Sequence, residues 1–589
     1  MIRELSELGK KIREANAGEK IVHDALKDEP ISIDLVIKDD GSFCKFEVIE
    51  KIVRPAEAIT AKKGKARLLL DKAEEVLCYQ GDNKKHELFI NKLNEYKDVD
   101  AVKSVIKFYN DNKINGVETA LAKFEEQVGE KERGGNIAFR VLNDDSRLHE
   151  KKDVYDAIIN KYEAEQNLKL KDDVKVCSIC GSSNFPVEDI PHGMIKRVPD
   201  GQTSGCALVS YNDDAYESYT LKGNLNSSIC TNCARTYTEG LNWLMSNGNN
   251  QLIEDSKGKQ KEIFKYSNRR NFGSDTAMVY WTKNNQKCTE LDLFDNPDPK
   301  EISVLIDSVT AGKASQIEPD YFYSCTLSGA AARIAVRDWI EISLGDLKKS
   351  IACWFKDIRI EAWGEVYHAP LYRLVNATQN EKNKNETTSS RIAVHLWNAA
   401  LKNTSPPLWI LTSVLKRVRI MENDENKKNK ESITPERAAL IRLILNRNNK
   451  GGFMIKEDLD HDNTNSAYVC GRIFAVLESI QRAALGKDIN AGIRERFFSF
   501  ASTNPSPAFG RLMKMSQNHL TKLKGEKAGL AVILDKELSE LFSKIKAFPN
   551  VFSLEEQGQF AIGYYHQKQD TYNRAKQNKE LKDVVEDVE

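Results

Sequence analysis

The chain has 589 residues, of which 40% are hydrophobic and 30% charged, and its 87 basic and 87 acidic side chains leave no formal net charge. This length and composition predict a soluble globular protein of several domains and exclude a fibrous or largely disordered chain. Because no run approaches ~18 consecutive apolar residues and the N-terminus lacks the apolar core of a signal peptide, we expect a cytoplasmic protein without a membrane partner.

The N-terminal region, residues 1–165, is predicted to mix strands and helices. Alternating apolar residues in "ISIDLVIKDDG" and "SFCKFEVIE" meet at an Asp-Asp-Gly turn, which predicts a β-hairpin. The segments "KARLLLDKAEEVLCY" and "HELFINKLNEY" have helical patterns. The later segment "GNIAFRVLNDDSRLHEKKDVYDAIINKYEAE" predicts a strand, an Asp-Asp turn and a helix.

Two Cys-x-x-Cys pairs define the next region, residues 166–250. Cys177 and Cys180 form the first pair, and Cys230 and Cys233 form the second. Two thiolates at this spacing can bind one metal ion, and two such knuckles complete a tetrahedral site, so we predict a structural zinc ion in a zinc-ribbon-like insertion. The two pairs lie further apart than in common zinc ribbons, and buried free thiols are the alternative interpretation.

The stretch between the pairs, residues 191–219, reads PHGMIKRVPDGQTSGCALVSYNDDAYESY and has little apolar periodicity. Because it has few side chains that could build a core, we expect the zinc ion to hold both of its ends. Within this stretch, Cys206 is predicted to be a small core residue, and His192 a hydrogen-bonding residue rather than a metal ligand or a base.

The central region, residues 251–450, is predicted to be mixed α/β. The segments "TAMVYW" and "PDYFYSCTLSG" are predicted strands, and "AAARIAVRDWIEI" is a predicted helix. Two polar runs, 378–390 and 422–432, carry little apolar area and are predicted to be mobile surface loops.

The C-terminal region, residues 451–589, is predicted to be an all-α bundle. From about Ala467 its apolar residues recur every three or four positions through five segments, and the last segment begins with the capping box Ser553 to Glu556. The predicted fold class is therefore α+β and multidomain, with mixed α/β N-terminal and central regions, a zinc-ribbon-like insertion and a C-terminal helical bundle.

Basic and polar residues near glycines are the candidates for nucleic-acid binding. Lys and Arg neutralise phosphates, whereas Asn, Gln, Ser and Tyr can contact base edges or stack on bases. The candidates are Lys62, Lys63, Lys65 and Arg67, then Lys196, Arg197, Gln202, Ser204, Tyr211 and Asn212, and finally Arg333 and Arg337, which lie one turn apart in the predicted central helix. A solvated face is the alternative interpretation of each cluster.

The segments "CSICG", "PVEDIPHGMIKRVPDGQTSGCALVSYNDDAYESYTLKGNLNSSIC" and "YTEGLNWLM" together resemble a signature region of one known family. That family is the large subunit of the type I-C CRISPR surveillance complex, Cascade. "FYSCTLSGAAARIAVRDWIEISLGDL" and the segments that follow "AYVCGRIFAVLESIQRAAL" extend the resemblance in order, with gaps at 246–320 and 378–432. The chain departs from many relatives at Cys230 and Cys233 and has Thr220 where they have glycine, so metal binding is inferred from the cysteines alone.

The resemblance implies a subunit that is not an enzyme. Such a subunit holds the 5′ end of the guide RNA (crRNA), recognises the protospacer-adjacent motif in double-stranded target DNA and stabilises the R-loop. Its implied partners are the Cascade backbone and 5′-handle-binding subunits and the helicase-nuclease that cuts the DNA. Guide pairing then supplies most of the sequence specificity, as in other RNA-guided systems.

The resemblance also implies a small subunit made from the same gene by internal initiation. Lys-Gly-Gly at 450–452 can be encoded as a ribosome-binding sequence shortly before Met454. We therefore predict a separate product from Met454 that carries the helical bundle. An ordinary internal methionine is the alternative.

Two other functions are compatible with the residues. His461 and Asp462 resemble a metal-binding dyad, so the rival is a zinc-containing nuclease, although their polar surroundings favour a solvated loop. A zinc-stabilised interaction module without a nucleic-acid partner is the third interpretation. Phosphate-cradling, dinucleotide-binding and H-E-x-x-H motifs are absent, which weighs against an ATPase, a dehydrogenase and a metalloprotease.

Overall fold

The computed structural model describes sixteen stretches of the chain, and these fold into two compact units. Unit 1 comprises Met1–Ile195 and Ala207–Asn242, and unit 2 comprises Lys196–Cys206 and Trp243–Glu589. The four regions predicted above group the chain differently, and their boundaries stay predictions. The described residues are 1–17, 23, 25–59, 66–81, 83–169, 174–183, 185–186, 192–217, 219–254, 260–284, 286–311, 320–380, 386–420, 433–449, 454–486 and 492–586. No helix in these stretches is long and apolar enough to cross a membrane.

Unit 1 is mixed α/β, as predicted. Its elements are α1 (Ile2–Ala17), β1 (Leu26–Ile37), β2 (Phe43–Glu57), β3 (Leu70–Lys72), α2 (Ala73–Leu77), α3 (Asn83–Glu95), α4 (Asp100–Asn110), α5 (Gly116–Gln127), β4 (Asn136–Val141), α6 (Lys152–Lys169), β5 (Val174–Lys175), β6 (Phe185–Pro186) and α7 (Thr231–Ser246) as far as Asn242.

The main sheet of unit 1 has the strand order β2-β1-β4-β3. The predicted hairpin is confirmed, because β1 pairs antiparallel with β2, and Gly41 in its turn has φ +93°, which favours glycine. Strand β4 pairs parallel with β1, and helix α6 follows it as predicted. One expectation is wrong: the segment "KARLLLDKAEEVLCY" is not helical throughout, because Leu70–Lys72 form strand β3, in which Leu70 pairs with Ala138 at the sheet edge, and helix α2 begins only at Ala73.

Helix α1 packs closely against α7 in unit 1, and this contact positions the start of α7. A Cβ on Gly9 would lie 1.9 Å from the Thr236 carbonyl oxygen, and a Cβ on Gly240 would lie 2.5 Å from the Leu5 carbonyl oxygen. The Ser6 and Thr236 hydroxyls are 2.7 Å apart in the buried contact. Glycines on both helices therefore allow the backbones to approach.

Unit 2 begins with strands and continues into helices. Its elements after α7 are β7 (Gly248–Glu254), β8 (Gln260–Tyr266), β9 (Arg269–Phe272), β10 (Thr276–Thr282), α8 (Pro299–Thr310), β11 (Tyr321–Ala330), β12 (Arg333–Ser343), α9 (Leu344–Ile358), β13 (Ile360–Ala362), β14 (Glu365–Tyr367), α10 (Leu371–Asn376), α11 (Glu386–Lys402), α12 (Leu408–Arg419), α13 (Pro435–Asn448), α14 (Ser466–Leu485), α15 (Ile493–Ala501), α16 (Pro505–Glu526), α17 (Ala528–Phe542) and α18 (Leu554–Glu586).

The sheet of unit 2 has the order β12-β11-β10-β9, with antiparallel neighbours. The two predicted strands correspond to β10 and β11. The helix predicted from "AAARIAVRDWIEI" is wrong: these residues form the turn after β11 and then strand β12. Trp339 on β12 stacks on Tyr323 of β11 at 5.7 Å between ring centroids, so cross-strand packing decides the structure where the alanines suggested a helix.

The C-terminal helices are confirmed, and they share a core with the preceding helices. Buried apolar residues form one cluster from Phe272 to Tyr565, so the predicted boundary at 450 does not interrupt the core. Helices α14 and α18 meet through Gly471 and Gly563, where a Cβ would lie 2.0 and 2.1 Å from carbonyl oxygens of the opposite helix. The capping box is also present, because the Glu556 amide donates to the Ser553 hydroxyl at 3.2 Å.

The two polar runs predicted as mobile loops differ in their outcome. In 378–390, Thr378 and Gln379 are buried, and helix α11 begins at Glu386, so these parts are not a surface loop. Residues 381–385 and the whole of 422–432 lie outside the described residues.

Candidate metal centre and nucleic-acid interface

The two Cys-x-x-Cys pairs come together in unit 1, although Cys180 and Cys230 are 50 positions apart in the chain. All four Sγ atoms lie within 4.8 Å of one another. The Sγ atoms of Cys180 and Cys230 are 3.8 Å apart. A tetrahedron with Zn–S distances of about 2.3 Å has edges of about 3.8 Å, so the sulfurs are spaced for a metal ion.

The first knuckle is a tight turn at residues 177–182. The Gly181 amide donates to the Cys177 carbonyl at 2.9 Å, and the Cys177 amide donates to the Ser182 carbonyl at 2.8 Å. Gly181 has φ +73°, which favours glycine. The turn therefore places Cys177 and Cys180 on one side of a small loop.

The second knuckle is the start of helix α7. Cys230 immediately precedes α7, and Cys233 lies in its first turn. The Cys230 amide donates to the Cys177 Sγ at 3.4 Å, which joins the two knuckles. The positive end of the helix dipole also favours negatively charged sulfur at this place.

The Cys180 and Cys230 thiols differ in acidity. Although burial raises the pKa of Cys180, hydrogen bonds from Ser182 and neighbouring thiols outweigh it and lower that pKa to about 6. A hydrogen bond with Cys233 and burial raise the pKa of Cys230 well above its ordinary value. One thiolate therefore forms readily, whereas four adjacent thiolates require a cation between them.

These residues fit a structural zinc ion. Cys177, Cys230 and Cys233 are buried and Cys180 is exposed, and four thiolates fill a tetrahedral coordination sphere without an open position. The chemistry that zinc would supply is structural: it would fix the start of α7 against the turn at 177–182. The proximity predicted from the cysteine spacing is present, and free thiols at this spacing would have no comparable reason to converge.

The stretch 191–219 is not held only at its ends. Residues 192–195 and 207–217 belong to unit 1, but Lys196–Cys206 belongs to unit 2. Cys206 is fully buried, as predicted. His192 is hydrogen-bonded, as predicted, through Nδ1 to the Tyr237 hydroxyl at 2.9 Å.

The segment Lys196–Cys206 docks on the turn between β11 and β12. The Gly329 amide donates to the Pro199 carbonyl at 2.8 Å, and Gly201 forms a parallel bridge with Ala331. A Cβ on Gly329 would lie 2.5 Å from the backbone of Asp200 and of Gly201. Glycine at 329 therefore allows the segment to lie directly against the strand.

Arg269 fastens the start of the same segment. Its Nη1 donates to the Arg197 carbonyl at 2.9 Å and to the Met245 carbonyl at 3.1 Å. Arg197 and Asp200 have φ +60° and +56°, values uncommon for residues with a Cβ. These contacts hold a strained backbone while Lys196, Arg197, Gln202 and Ser204 are exposed.

The docking brings two predicted clusters into one region of unit 2. Arg333 begins strand β12, two residues after the docked Ala331, and it is exposed. Arg337 is not one helical turn away, as predicted, but lies at a bulge in the strand, and its Nε donates to the Ser328 hydroxyl at 2.8 Å. The sequence placed these residues in a separate helix, so it could not reveal this arrangement.

The remaining predicted nucleic-acid residues lie in unit 1. Lys62, Lys63 and Lys65 lie outside the described residues. The Arg67 guanidinium pairs with Glu29 at 3.0 Å and with Asp71 at 3.4 Å, so its charge is balanced within the protein. Tyr211 and Asn212 follow the segment that docks in unit 2, and the Tyr211 ring packs against Tyr216 at 6.4 Å.

The backbone at Thr220 has a conformation that suits glycine better than threonine. The resemblance predicts glycine at this position, and Thr220 has φ +65° directly after Tyr219 at φ +54°. Both values favour glycine, so the chain keeps the backbone while using residues that adopt it less readily.

His461 and Asp462 do not acquire a third metal ligand among the described residues. Both are exposed, and the cysteine cluster is the only group of three or more metal-ligating side chains found in the described stretches. The structure therefore offers the rival nuclease no assembled cation site in these stretches.

One basic cluster was not predicted from the sequence. Lys416, Arg417 and Arg419 occupy the last turn of α12. The run Lys-Arg-Val-Arg could have indicated this cluster in the sequence, but it is easily assigned to the predicted polar loop that follows it. They line a cavity in unit 2.

The fold and these sites define a class of protein: an α+β protein with a closed cysteine centre and an exposed polar segment held on a sheet. The chain matches the family described as CRISPR-associated protein (Cas_Csd1) over residues 6–572. It therefore belongs to this CRISPR-associated family. A search of curated proteins found no match.

Proposed function

We propose that the chain is the large subunit of a type I-C CRISPR surveillance complex, Cascade. The observation that carries the proposal is the family match over residues 6–572. In this role the chain holds the 5′ end of the guide RNA, recognises the protospacer-adjacent motif of double-stranded DNA, stabilises the R-loop and receives the helicase-nuclease. The backbone and 5′-handle-binding subunits are its other partners.

We place the contact with double-stranded DNA at the docked segment Lys196–Cys206 and the adjacent start of β12. Lys196, Arg197 and Arg333 can neutralise phosphates, and Gln202 and Ser204 can hydrogen-bond to base edges. A segment fastened to a sheet by backbone hydrogen bonds loses little entropy when it binds, which favours recognition of a short motif.

The role is not enzymatic. The cysteine cluster offers four sulfur ligands, which would leave a bound metal ion no open position for a substrate, so it supports a structural rather than a catalytic metal. This chemistry fits a subunit that binds DNA and leaves cleavage to a partner.

We further propose an internally initiated product that begins at Met454. Met454 is 54% exposed, but the following backbone is tied to α13, because Arg442 Nε donates to the Ile455 carbonyl at 3.0 Å. A Cβ on Gly558 of α18 would lie 3.0 Å from Leu445 of α13. A separate product therefore needs another surface to cover the face of α18 that α13 covers here.

The test is to purify the guide-RNA complex with and without the full chain and to measure binding of duplexes that differ only in the protospacer-adjacent motif. We expect motif-dependent binding only when the chain is present, and no cleavage by the chain with Mg²⁺ or Mn²⁺. Binding that is unchanged without the chain, or cleavage by the chain alone, would contradict the proposal. Mass spectrometry of the same complex tests for a product that starts near Met454.

A further inference from the structure

A cavity of about 520 Å³ lies in unit 2, beside the last turn of α12. Helix α12 contributes three cations and Ser413, the first turn of α11 contributes Thr388, and α15 contributes Ser499. We call it the basic cavity. Its lining residues are Thr378, Gln379, Asn380, Thr388, Ser413, Lys416, Arg417, Arg419, Ile420 and Ser499.

The charged side chains among the described lining residues of the basic cavity are all cationic. Lys416, Arg417 and Arg419 line it, and none of the described residues that line it is acidic. The Arg419 guanidinium donates to the Gln557 side-chain oxygen, a neutral partner. Burial lowers the pKa of Arg419 below its ordinary value.

The position of these cations at the end of α12 has a structural explanation as well. Basic residues in the last turn stabilise a helix by interacting with its dipole. That explanation accounts for the charges, but it does not account for a cavity beside them or for the polar side chains that three other segments bring to it. The combination favours a ligand.

The lining describes the ligand. Arg and Lys side chains together offer many N–H donors, which suit the oxygens of a phosphate group. The amides of Gln379 and Asn380 and the exposed apolar Ile420 give the cavity a second, less charged part. A volume of about 520 Å³ is within the range of small-molecule sites and exceeds what a single phosphate needs.

We propose that the basic cavity binds a nucleoside phosphate, with Lys416, Arg417 and Arg419 around the phosphate and the amide and apolar side chains against the nucleoside. The nucleoside phosphate can be a free nucleotide or one unit of a single-stranded nucleic acid, since both present the same chemistry. The second source rests on the proposed function, in which the chain meets guide RNA and displaced DNA.

The experiment measures the affinity of the full chain for three probes: inorganic phosphate, adenosine 5′-monophosphate and a short single-stranded oligothymidine. Lys416→Glu and Ser499→Glu each place a carboxylate in the cavity from a different helix, and both residues are exposed, so folding should be kept. Lys416→Arg preserves the charge. Lys536→Glu, at a lysine of α17 whose side chain is 77% exposed, is the matched control.

We expect the monophosphate to bind more tightly than inorganic phosphate. Lys416→Glu should weaken monophosphate binding by about tenfold to a hundredfold, because a charge-assisted hydrogen bond is lost and a repulsion is added. Ser499→Glu should act in the same direction, whereas Lys416→Arg and Lys536→Glu should retain most of the affinity. If the monophosphate and the oligothymidine compete, the natural ligand of the cavity is a unit of single-stranded nucleic acid. If they do not compete, the ligand is a free nucleotide.

Equal binding of phosphate and monophosphate would overturn the nucleoside part, and unchanged affinity in both glutamate variants would overturn the site. The result is separable from the proposed function. If the surveillance complex binds duplex DNA without this chain while the monophosphate still binds the cavity, the proposed function fails and the cavity assignment stands. If the glutamate variants bind the monophosphate normally while the chain is needed for duplex binding, the cavity assignment fails and the proposed function stands.

Discussion

The cysteine centre of unit 1 and the docked segment Lys196–Cys206 of unit 2 are fastened by different interactions. The cysteine centre joins two knuckles through four sulfurs suited to one metal ion. The docked segment is held by a backbone hydrogen bond between Gly329 and Pro199, by the bridge between Gly201 and Ala331, and by a close approach that glycine allows at 329. The comparison shows that neighbouring parts of one polar stretch can depend on separate anchors, so each anchor can be removed by itself.

Removing the metal should have the largest effect. Cys177→Ser or Cys233→Ser is expected to abolish zinc binding and to open the region around residues 177–182 and the start of α7, because structural zinc sites contribute roughly 10 kcal/mol or more to local folding. Metal analysis and hydrogen exchange measure the two effects. Cys44→Ser, at a cysteine outside the cluster, should keep the metal, and normal zinc content in both cluster variants would refute the centre.

Displacing the docked segment should have a smaller effect. Gly329→Ala puts a Cβ 2.5 Å from the backbone of Asp200 and Gly201, so we expect a loss of about 2 to 3 kcal/mol in the free energy of unfolding of unit 2. Gly510→Ala on α16 meets open space and should instead stabilise by about 0.5 to 1 kcal/mol. Denaturant unfolding compares the variants, and an unchanged midpoint for Gly329→Ala would rule out the tight contact.

Lowering the pH should reduce the stability of both units, whereas metal removal acts on the cysteine centre of unit 1. Burial, with nearby arginines, lowers the pKa of His149 in unit 1 and of His566 in unit 2 to about 3. Each histidine is neutral in the folded state, whereas in the unfolded state it takes up a proton below pH 6.5. The free energy of unfolding therefore decreases as the pH is lowered from 6.5 to 3, by about 1.4 kcal/mol per pH unit for each histidine. From pH 7 to pH 5 this amounts to about 2 kcal/mol for each of these two histidines. His149→Gln should flatten the pH dependence of unit 1 in urea unfolding, and a wild-type slope in that variant would exclude His149 as its source.

The smallest expected effects are those of single contacts with DNA. Lys196→Ala and Arg333→Ala in the surveillance complex should each reduce the slope of log affinity against log salt by about one unit, because one phosphate contact is lost. Arg67→Ala is the comparison, since Arg67 is paired with Glu29 and Asp71 and should leave the slope unchanged. A larger reduction of the salt slope in Arg67→Ala than in Lys196→Ala would place the DNA interface in unit 1 instead.

Local patterns in the sequence were sufficient for much of this structure. The β1–β2 hairpin, the C-terminal helices and the Ser553 capping box follow from periodicity and turn chemistry, which act over a few residues. The Cys-x-x-Cys pairs likewise predicted a cluster across 50 positions, because metal ligands have few alternative uses at that spacing.

Features that depend on distant contacts could not be predicted. Strand β12 was mistaken for a helix because the alanine run that precedes it favours helix, whereas its stability comes from pairing with β11 and stacking of Trp339 on Tyr323. The docking of Lys196–Cys206 depends on Gly329, which is more than a hundred positions away. The basic cavity likewise combines residues from three helices and the segment before α11.

The affinity of the guide-RNA complex for duplex DNA, measured with Gly329→Ala and with Cys177→Ser side by side, tests the central claim most directly. The claim is that the β11–β12 turn positions the segment that we propose contacts DNA. We predict that Gly329→Ala causes the larger loss of affinity, while Cys177→Ser lacks zinc but keeps more of the binding. A larger loss in Cys177→Ser, with Gly329→Ala close to wild type, would contradict the claim and return the role of anchor to the metal.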